Sequence, residues 1–151
     1  MIGVILNDGG TTLRFYVDRI GNNNADDYSK LDYWVIVSIS VSSPFFNYSN
    51  RGESLQYAEL ISMRDAFNLF LENRLTQEKH LDFIEPEYEF VLHPKHDETN
   101  PCVDFKINEV GGYGGQYVLS LFRKEIVIWR DYLDKAIKNF DARNIEDFRN
   151  V

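Results

Sequence analysis

Apolar and polar residues alternate along the first third of the chain, and this period of two is typical of half-buried β-strands. Residues 13–17 carry the alternation directly after a Gly-Gly pair at 9–10, so we expect a turn there and a hairpin with residues 2–6. The clearest strand signal covers residues 33–42, where four β-branched residues share one face. Residues 45–48 are predicted to follow it as a short partner strand.

Two later segments change to the spacing of an amphipathic α-helix, with apolar residues three and four positions apart. The first helix is expected at about residues 56–74. The second closes the domain, and Lys135 and Lys138 in its last turns complement the negative end of the helix dipole. The first apolar stripe consists of Leu60, Met63, Phe67, Phe70 and Leu71, and the second of Ile126, Trp129, Leu133, Ala136, Ile137 and Phe140.

Strand signals also occur between the two helices. The predicted strands cover residues 81–84, 88–93, 102–110 and 116–123. A glycine-rich stretch at 111–115 links the last two as a flexible hairpin loop. Strands joined by hairpins and accompanied by two amphipathic helices are typical of an α+β domain. We therefore expect a mostly antiparallel sheet built from hairpins, with two main helices packed on it.

Composition narrows the class of protein. The chain of 151 residues is 44% hydrophobic, which suits a single domain over residues 1–151 with a substantial core. Its formal charge of −8 repels phosphate backbones, so we expect no direct nucleic-acid binding and favour a basic partner. No stretch approaches the roughly 18 apolar residues of a membrane helix, and no basic leader precedes an apolar core. With one cysteine and no intrachain disulfide, these features predict a soluble cytoplasmic protein.

Two clusters have the residue types of ligand sites. The glycine-rich stretch around Tyr113 lacks the Lys-Ser or Lys-Thr and the helix N-terminus of a phosphate-binding loop, which favours a hairpin tip. His93, His96, Asp97 and Cys102 have side chains that zinc accepts. Their spacing matches no standard zinc motif, so we expect exposed histidines and a small buried cysteine instead. The sequence predicts no metal, no cofactor and no catalytic motif.

Negative charge is concentrated in the middle of the chain. Residues 1–50 carry a net charge of −2, residues 51–100 of −6 and residues 101–151 of 0. A solvated acidic face explains this excess as well as a partner site does, although aromatic residues beside the charges could supply binding anchors. The predicted partner site consists of Asp82, Glu85, Glu87, Glu89, Asp97 and Glu98, with Tyr88 and Tyr113 as aromatic anchors.

Four short segments of the chain stand in a characteristic order. They are Tyr33-Trp34-Val35, Ala58-Glu59-Leu60, Leu81-Asp82-Phe83-Ile84-Glu85-Pro86-Glu87-Tyr88-Glu89-Phe90 and Tyr132-Leu133. This order resembles the WapI-type immunity family of bacteria over roughly residues 33–138, and the Phe-Ile-Glu-Pro piece at 83–86 is its most specific part. The resemblance implies a small cytoplasmic protein that neutralises a toxin domain of a large secreted contact-dependent protein. It implies no catalytic residues.

Two main classes of function are open. The first is a non-enzymatic immunity protein whose acidic middle third steers association with a cognate toxin domain, most simply a basic nuclease, and occupies its phosphate-binding surface. The second is a small hydrolase or ligand-binding enzyme whose carboxylates work in a pocket. A structural or phage-related protein is a weaker third option. We expect the first class, with a protein partner and no enzymatic activity.

Overall fold

The computed structural model describes residues 3–20, 32–94, 99–110 and 115–141. Within these ranges the strands and helices follow a simple order, in which four strands and then one helix occur twice. They are β1 (Val4–Asp8), β2 (Thr11–Ile20), β3 (Trp34–Ser42), β4 (Asn47–Gln56), α1 (Tyr57–Leu71), β5 (Lys79–Leu81), β6 (Tyr88–Leu92), β7 (Val103–Val110), β8 (Gly115–Leu121) and α2 (Arg123–Asp141). Strands β1–β4 form the first sheet, and strands β5–β8 form the second sheet.

Both sheets are antiparallel, and each strand pairs only with its neighbours in the sequence. The predicted α+β class, with antiparallel strands and two main helices, is confirmed. The structure adds the division of the strands into two sheets of four. Two compact units are present, residues 1–61 with 132–151 and residues 62–131. A single domain over the whole chain stays a prediction.

The first sheet follows the predicted pattern in its first hairpin and departs from it in β4. Gly9 and Gly10 have φ angles of 54° and 84°, which a two-residue hairpin turn requires and glycine adopts without strain. The predicted pairing of β1 with β2 is confirmed. β4 has ten residues, whereas the expected partner strand covered only 45–48. Its outer residues are mostly polar, so no apolar alternation marks it, and pairing with β3 along its length defines it instead.

Each helix begins with the same contact between a side chain and the backbone. The Glu59 carboxylate accepts the Gln56 N–H at 2.7 Å, and the Glu125 carboxylate accepts the Phe122 N–H at 2.9 Å. A glutamate in the first turn thereby satisfies a backbone donor at the helix start, as in a capping box. α1 stops short of its predicted end because Asn73 adopts a left-handed φ of 56°. Neither described helix combines the length and apolar character of a membrane-spanning segment.

The apolar stripes predicted for the two helices are buried, with at most 8% of any of these residues exposed. In the second unit, the Trp129 ring packs against Phe90 and Phe105 of the sheet, with ring centroids 5.0 and 5.6 Å apart. In the first unit, Tyr132 meets Phe15 of β2 edge-on at 6.3 Å. The prediction that both stripes face the strands and form the core is confirmed.

Candidate binding surface

Residues 82–87, named here the acidic loop, join β5 to β6 and contain the most specific part of the sequence pattern. Phe83 is the internal anchor of this loop, since only 9% of it is exposed. Its ring packs against Tyr88 and Phe90, with centroids 5.6 and 6.4 Å away. Burial of a phenylalanine side chain contributes about 1.5–3 kcal/mol, so Phe83 holds the loop against the second sheet.

Four residues of the acidic loop are exposed, namely Asp82, Ile84, Glu85 and Pro86. Ile84 keeps 61% of its surface exposed, so an apolar group stands between two carboxylates. The sequence pattern predicted a strand through Ile84, whereas β5 ends at Leu81. The sequence did indicate that Ile84 is exposed. In an extended segment, residues two apart lie on the same face, and Ile84 therefore shares a face with the polar Asp82.

The end of the acidic loop is tied to strand β7. The Asn108 side-chain amide donates to the Pro86 carbonyl at 2.9 Å, and the Asn108 backbone N–H donates to the Glu87 carbonyl at 2.8 Å. Pro86 has a fixed φ, which further restricts the backbone here. The exposed carboxylates are therefore carried by a restrained segment, and a partner that binds them loses little conformational entropy in ordering it.

Glu89 differs from the exposed acids because it lies within the second sheet, opposite Lys106. The Lys106 Nζ is 4.0 Å from a Glu89 carboxylate oxygen, and the Gln116 amide donates to the same oxygen at 3.5 Å. Both charged side chains are only 26% exposed. The charge of Glu89 is thus partly neutralised by a cross-strand neighbour, whereas Asp82 and Glu85 form no ion pair with any described residue.

A further set of acids on the second sheet is paired with histidines. Glu78 lies 2.8 Å from His80 Nε2 and 3.1 Å from His93 Nδ1. The Asp104 carboxylate lies 3.1 Å from His93 Nε2 and accepts the Ser120 hydroxyl at 3.1 Å. The hydrogen bond with His80, together with the nearby His93, holds the pKa of Glu78 below its ordinary value of 4.5. We call these five residues the histidine network, and none of them belongs to the predicted partner site.

Of the other residues predicted for the partner site, three fall outside the described part of the chain and one is buried. Asp97, Glu98 and Tyr113 lie outside the described residues. Tyr88 requires a correction, because only 1% of it is exposed and its ring packs against Phe83 and Phe105. Its position in β6 turns the ring toward the core, so Tyr88 supports the acidic loop from beneath and is not a surface anchor.

His93 and Cys102 are the described members of the zinc-like cluster, and the His93 backbone N–H donates to the Cys102 carbonyl at 3.0 Å, although their side chains have different contacts. Cys102 is 1% exposed and its thiol donates toward the Leu121 carbonyl at 3.6 Å, so the predicted buried cysteine is confirmed. His93 is half-buried in the histidine network. His96 and Asp97 lie outside the described residues. Within the described ranges, no three His, Cys, Asp or Glu side chains are grouped so that they could hold a metal ion.

Comparisons with known proteins point to one family. The model of the immunity protein WapI-like family matches residues 4–142, which include every described strand and helix and the whole acidic loop. A search of the curated proteins finds no match. Among solved structures, the one titled "Structure of the plant transcriptional regulator PBF-2" is similar over 90% of this chain and 80% of that chain, with a TM-score of 0.49 and 12% sequence identity.

Proposed function

Because the chain belongs to the immunity protein WapI-like family, we propose that it binds a cognate toxin domain and neutralises it by contact, without enzymatic turnover. The family match over residues 4–142 carries this proposal. The toxin domain is carried on a large secreted contact-dependent protein and is most simply a basic nuclease. The immunity protein acts in the cytoplasm, and its partner is the toxin domain rather than nucleic acid or membrane.

The exposed charges of the acidic loop support a basic partner. Asp82 and Glu85 are exposed and form no ion pair with other described residues, in a third of the chain whose net charge is −6. Such charges act over a Debye length, roughly 10 Å at 0.1 M salt, and steer an oppositely charged protein during its approach. A nuclease binds phosphates through basic side chains, so an acidic inhibitor can occupy that same surface.

The residues of the proposed surface have two different roles. The carboxylates act mainly on the rate of encounter, and Glu89 contributes less than Asp82 because Lys106 lies beside it. Apolar contact prolongs the bound state, and the exposed Ile84 is suited to it. The full proposed surface comprises Asp82, Ile84, Glu85, Glu87, Glu89, Asp97 and Glu98, with Tyr113 as a further anchor.

Binding kinetics test the acidic loop directly. The double variant Asp82→Lys/Glu85→Lys changes the formal charge from −8 to −4, because each reversal adds two. Association with the cognate toxin domain should slow by roughly tenfold at low salt, and its salt dependence should weaken. Stopped-flow or surface measurements at two salt concentrations give both quantities.

A matched control separates a local effect from the effect of net charge. Asp65 and Asp131 are exposed on α1 and α2 of the same unit, and Asp65→Lys/Asp131→Lys changes the formal charge by the same amount. The control variant should associate at close to the rate of the unchanged protein. Equal slowing in both double variants, or no slowing in either, would exclude the acidic loop as the contact surface.

Co-expression tests the function as a whole. A toxin domain that stops growth alone should permit growth when it is expressed with this chain, and the two proteins should copurify. Purified chain by itself should show no hydrolase, transferase or nuclease turnover. Failure of the chain to bind or protect, or turnover that follows it through purification and disappears in Glu87→Gln, would overturn the proposed function.

A further inference from the structure

The outer face of the first sheet contains a groove of about 280 Å³. The strand register places Ser40 between Arg14 and Ser49, and places Ser38 of the next outward row between Tyr16 and Arg51. The two serines of β3 are short, and they are flanked by the longer side chains of Arg14 and Tyr16 on β2 and of Arg51 on β4, whereas Ser49 on β4 is also short. The groove therefore follows the central strand β3, and its lining is mostly apolar apart from the polar ends of these side chains.

The groove presents hydrogen-bond donors that the described part of the chain does not use. The Arg14 guanidinium and the hydroxyls of Ser38, Ser40 and Ser49 have no hydrogen bond or ion pair with other described residues. The second arginine, Arg51, is paired with Asp18. Two basic and no acidic side chains line the groove, although the whole chain has a formal charge of −8. An arginine fork with adjacent hydroxyls suits a carboxylate.

A fully exposed aromatic ring stands beyond one end of this groove. Phe45, in the turn between β3 and β4, is 99% exposed and has no ring contact within the described residues. The turn itself is ordered, because the Ser43 backbone N–H and hydroxyl donate to the Phe46 carbonyl at 2.8 and 3.1 Å. A large apolar ring held in water on a fixed turn is suited to anchor a protein partner.

The ring and the groove belong to the same end of the first sheet. The outward row nearest the turn consists of Thr12, Ser42 and Asn47, and the next outward row contains Arg14. Outward rows repeat every two residues, which is about 7 Å along a strand. One protein surface could therefore cover Phe45 and reach Arg14 at the same time.

We propose that Phe45 and the Arg14 groove form a second contact surface for a protein, which receives the Phe45 ring in an apolar cleft and places a carboxylate in the groove. We favour protein over nucleic acid because a phosphate chain brings many negative charges against an acidic protein. A single carboxylate instead responds mainly to the nearby Arg14, since Arg51 is already paired with Asp18. This inference rests on the proposed function, since the protein that it names is the cognate toxin domain.

The test measures binding of the cognate toxin domain to Phe45→Ser and Arg14→Gln. Phe45→Ser should speed dissociation by at least about tenfold, and Arg14→Gln should weaken binding by roughly tenfold, because each removes a group that the partner buries. Ile128→Ser and Lys135→Gln are matched controls on α2, since Ile128 is 49% exposed and Lys135 is exposed. Both controls should bind as the unchanged protein does, and urea unfolding should show that all four variants are folded.

The outcomes distinguish this surface from the function itself. If the unchanged protein binds the toxin domain and the Phe45 and Arg14 variants bind within twofold of it, the second surface is wrong and the proposed function stands. If the unchanged protein does not bind the toxin domain, both are overturned. Titration with a labelled single-stranded oligonucleotide completes the test, because Arg14-dependent binding of the oligonucleotide at physiological salt would assign the groove to nucleic acid and overturn the protein proposal.

Discussion

The outer faces of the two sheets differ in how far their polar side chains are paired with one another. On the second sheet, Glu89 meets Lys106 across the strands, and Asp104 is shared between His93 and Ser120. On the first sheet, Arg51 is paired with Asp18, but the guanidinium of Arg14 and the serine hydroxyls beside it have no partner among the described residues. Groups that satisfy one another stabilise the sheet they belong to, whereas unpaired groups keep their hydrogen bonds for another molecule. Two sheets with the same strand order can therefore present quite different surfaces.

The inner faces differ as well, in the kind of apolar group they bury. The first sheet buries mainly valine, leucine and isoleucine, with Phe15 as its buried ring. The second sheet buries Tyr88, Phe90 and Phe105, and Trp129 packs on them from α2. Aromatic rings in edge-to-face contact add about 0.5–1.5 kcal/mol per pair to the effect of burial. Single residues of the second core should therefore matter more than single residues of the first.

Truncation of Phe90 is the strongest way to test this difference. Its ring lies within 6.4 Å, between centroids, of the rings of Phe67, Phe83, Phe105 and Trp129. Phe90→Ala should lower the free energy of unfolding by about 3–5 kcal/mol, and Val37→Ala in the first sheet by about 1–2 kcal/mol. Urea unfolding monitored by circular dichroism measures both. Equal losses would mean that the two cores are equivalent.

A smaller effect is expected from a buried hydrogen bond in the first unit. The Val17 backbone N–H donates to the Tyr132 hydroxyl at 2.7 Å, next to a bulge in the pairing of β2 with β3. Tyr132→Phe keeps the ring and removes this acceptor, so the free energy of unfolding should fall by about 1–3 kcal/mol. Tyr117→Phe is a control on the second sheet and should have a smaller effect. A loss below about 0.5 kcal/mol for Tyr132→Phe would show that water replaces the hydroxyl.

The same tyrosine predicts a response to alkaline pH. Burial raises the pKa of Tyr132 to about 12 from an ordinary 10.0, although the Val17 hydrogen bond opposes the shift. The folded state therefore favours the neutral phenol, so this stabilisation is complete below pH 10 and is lost as the pH rises from 10 to about 12. The difference in stability between the unchanged protein and Tyr132→Phe should shrink over that range. A constant difference in urea midpoints would contradict the assigned environment.

The smallest effect is expected from the histidine network. The lowered pKa of Glu78 means that the folded state favours the carboxylate, so its contribution is present above pH 4.5 and is lost as the pH falls further. Glu78→Gln should therefore reduce stability slightly near pH 6, and the reduction should become smaller as the pH falls below 4.5. Glu72→Gln, an exposed acid at the end of α1, serves as the control. If Glu78→Gln did not change the free energy of unfolding in either pH range, this carboxylate would not stabilise the second sheet.

The elements that the sequence predicted are those whose evidence lies within one segment. β3 and both helices each carry their own period, and the Gly-Gly pair defines the turn at 9–10. β4 was underestimated because its outward residues are polar and only its partner strand defines it. The sequence pattern also did not predict the separation into two sheets. That separation depends on which hairpins join one another, and the period of a single strand carries no information about it.

The candidate surfaces were likewise predictable only where the evidence lies within one segment of the chain. Charge indicated the acidic loop, and the structure shows that its carboxylates Asp82 and Glu85 are exposed, but a partner site at this loop stays a prediction. The burial of Tyr88 was accessible, because it lies two positions from Phe90 and so shares its face of β6. The Arg14 groove was not accessible, because it arises only when the register of three strands brings separate residues together.

The pairing of strands with their immediate neighbours has a consequence for how quickly the molecule forms. Connections between paired strands are 2 to 13 residues long, so each pairing closes only a short loop. Isolated hairpins form in about 1–10 μs, and topologies dominated by local contacts fold faster than those that join distant segments. The strands can therefore pair early, whereas the first unit is complete only when α2 packs on it, because the Tyr132 hydroxyl accepts the Val17 N–H across 115 residues.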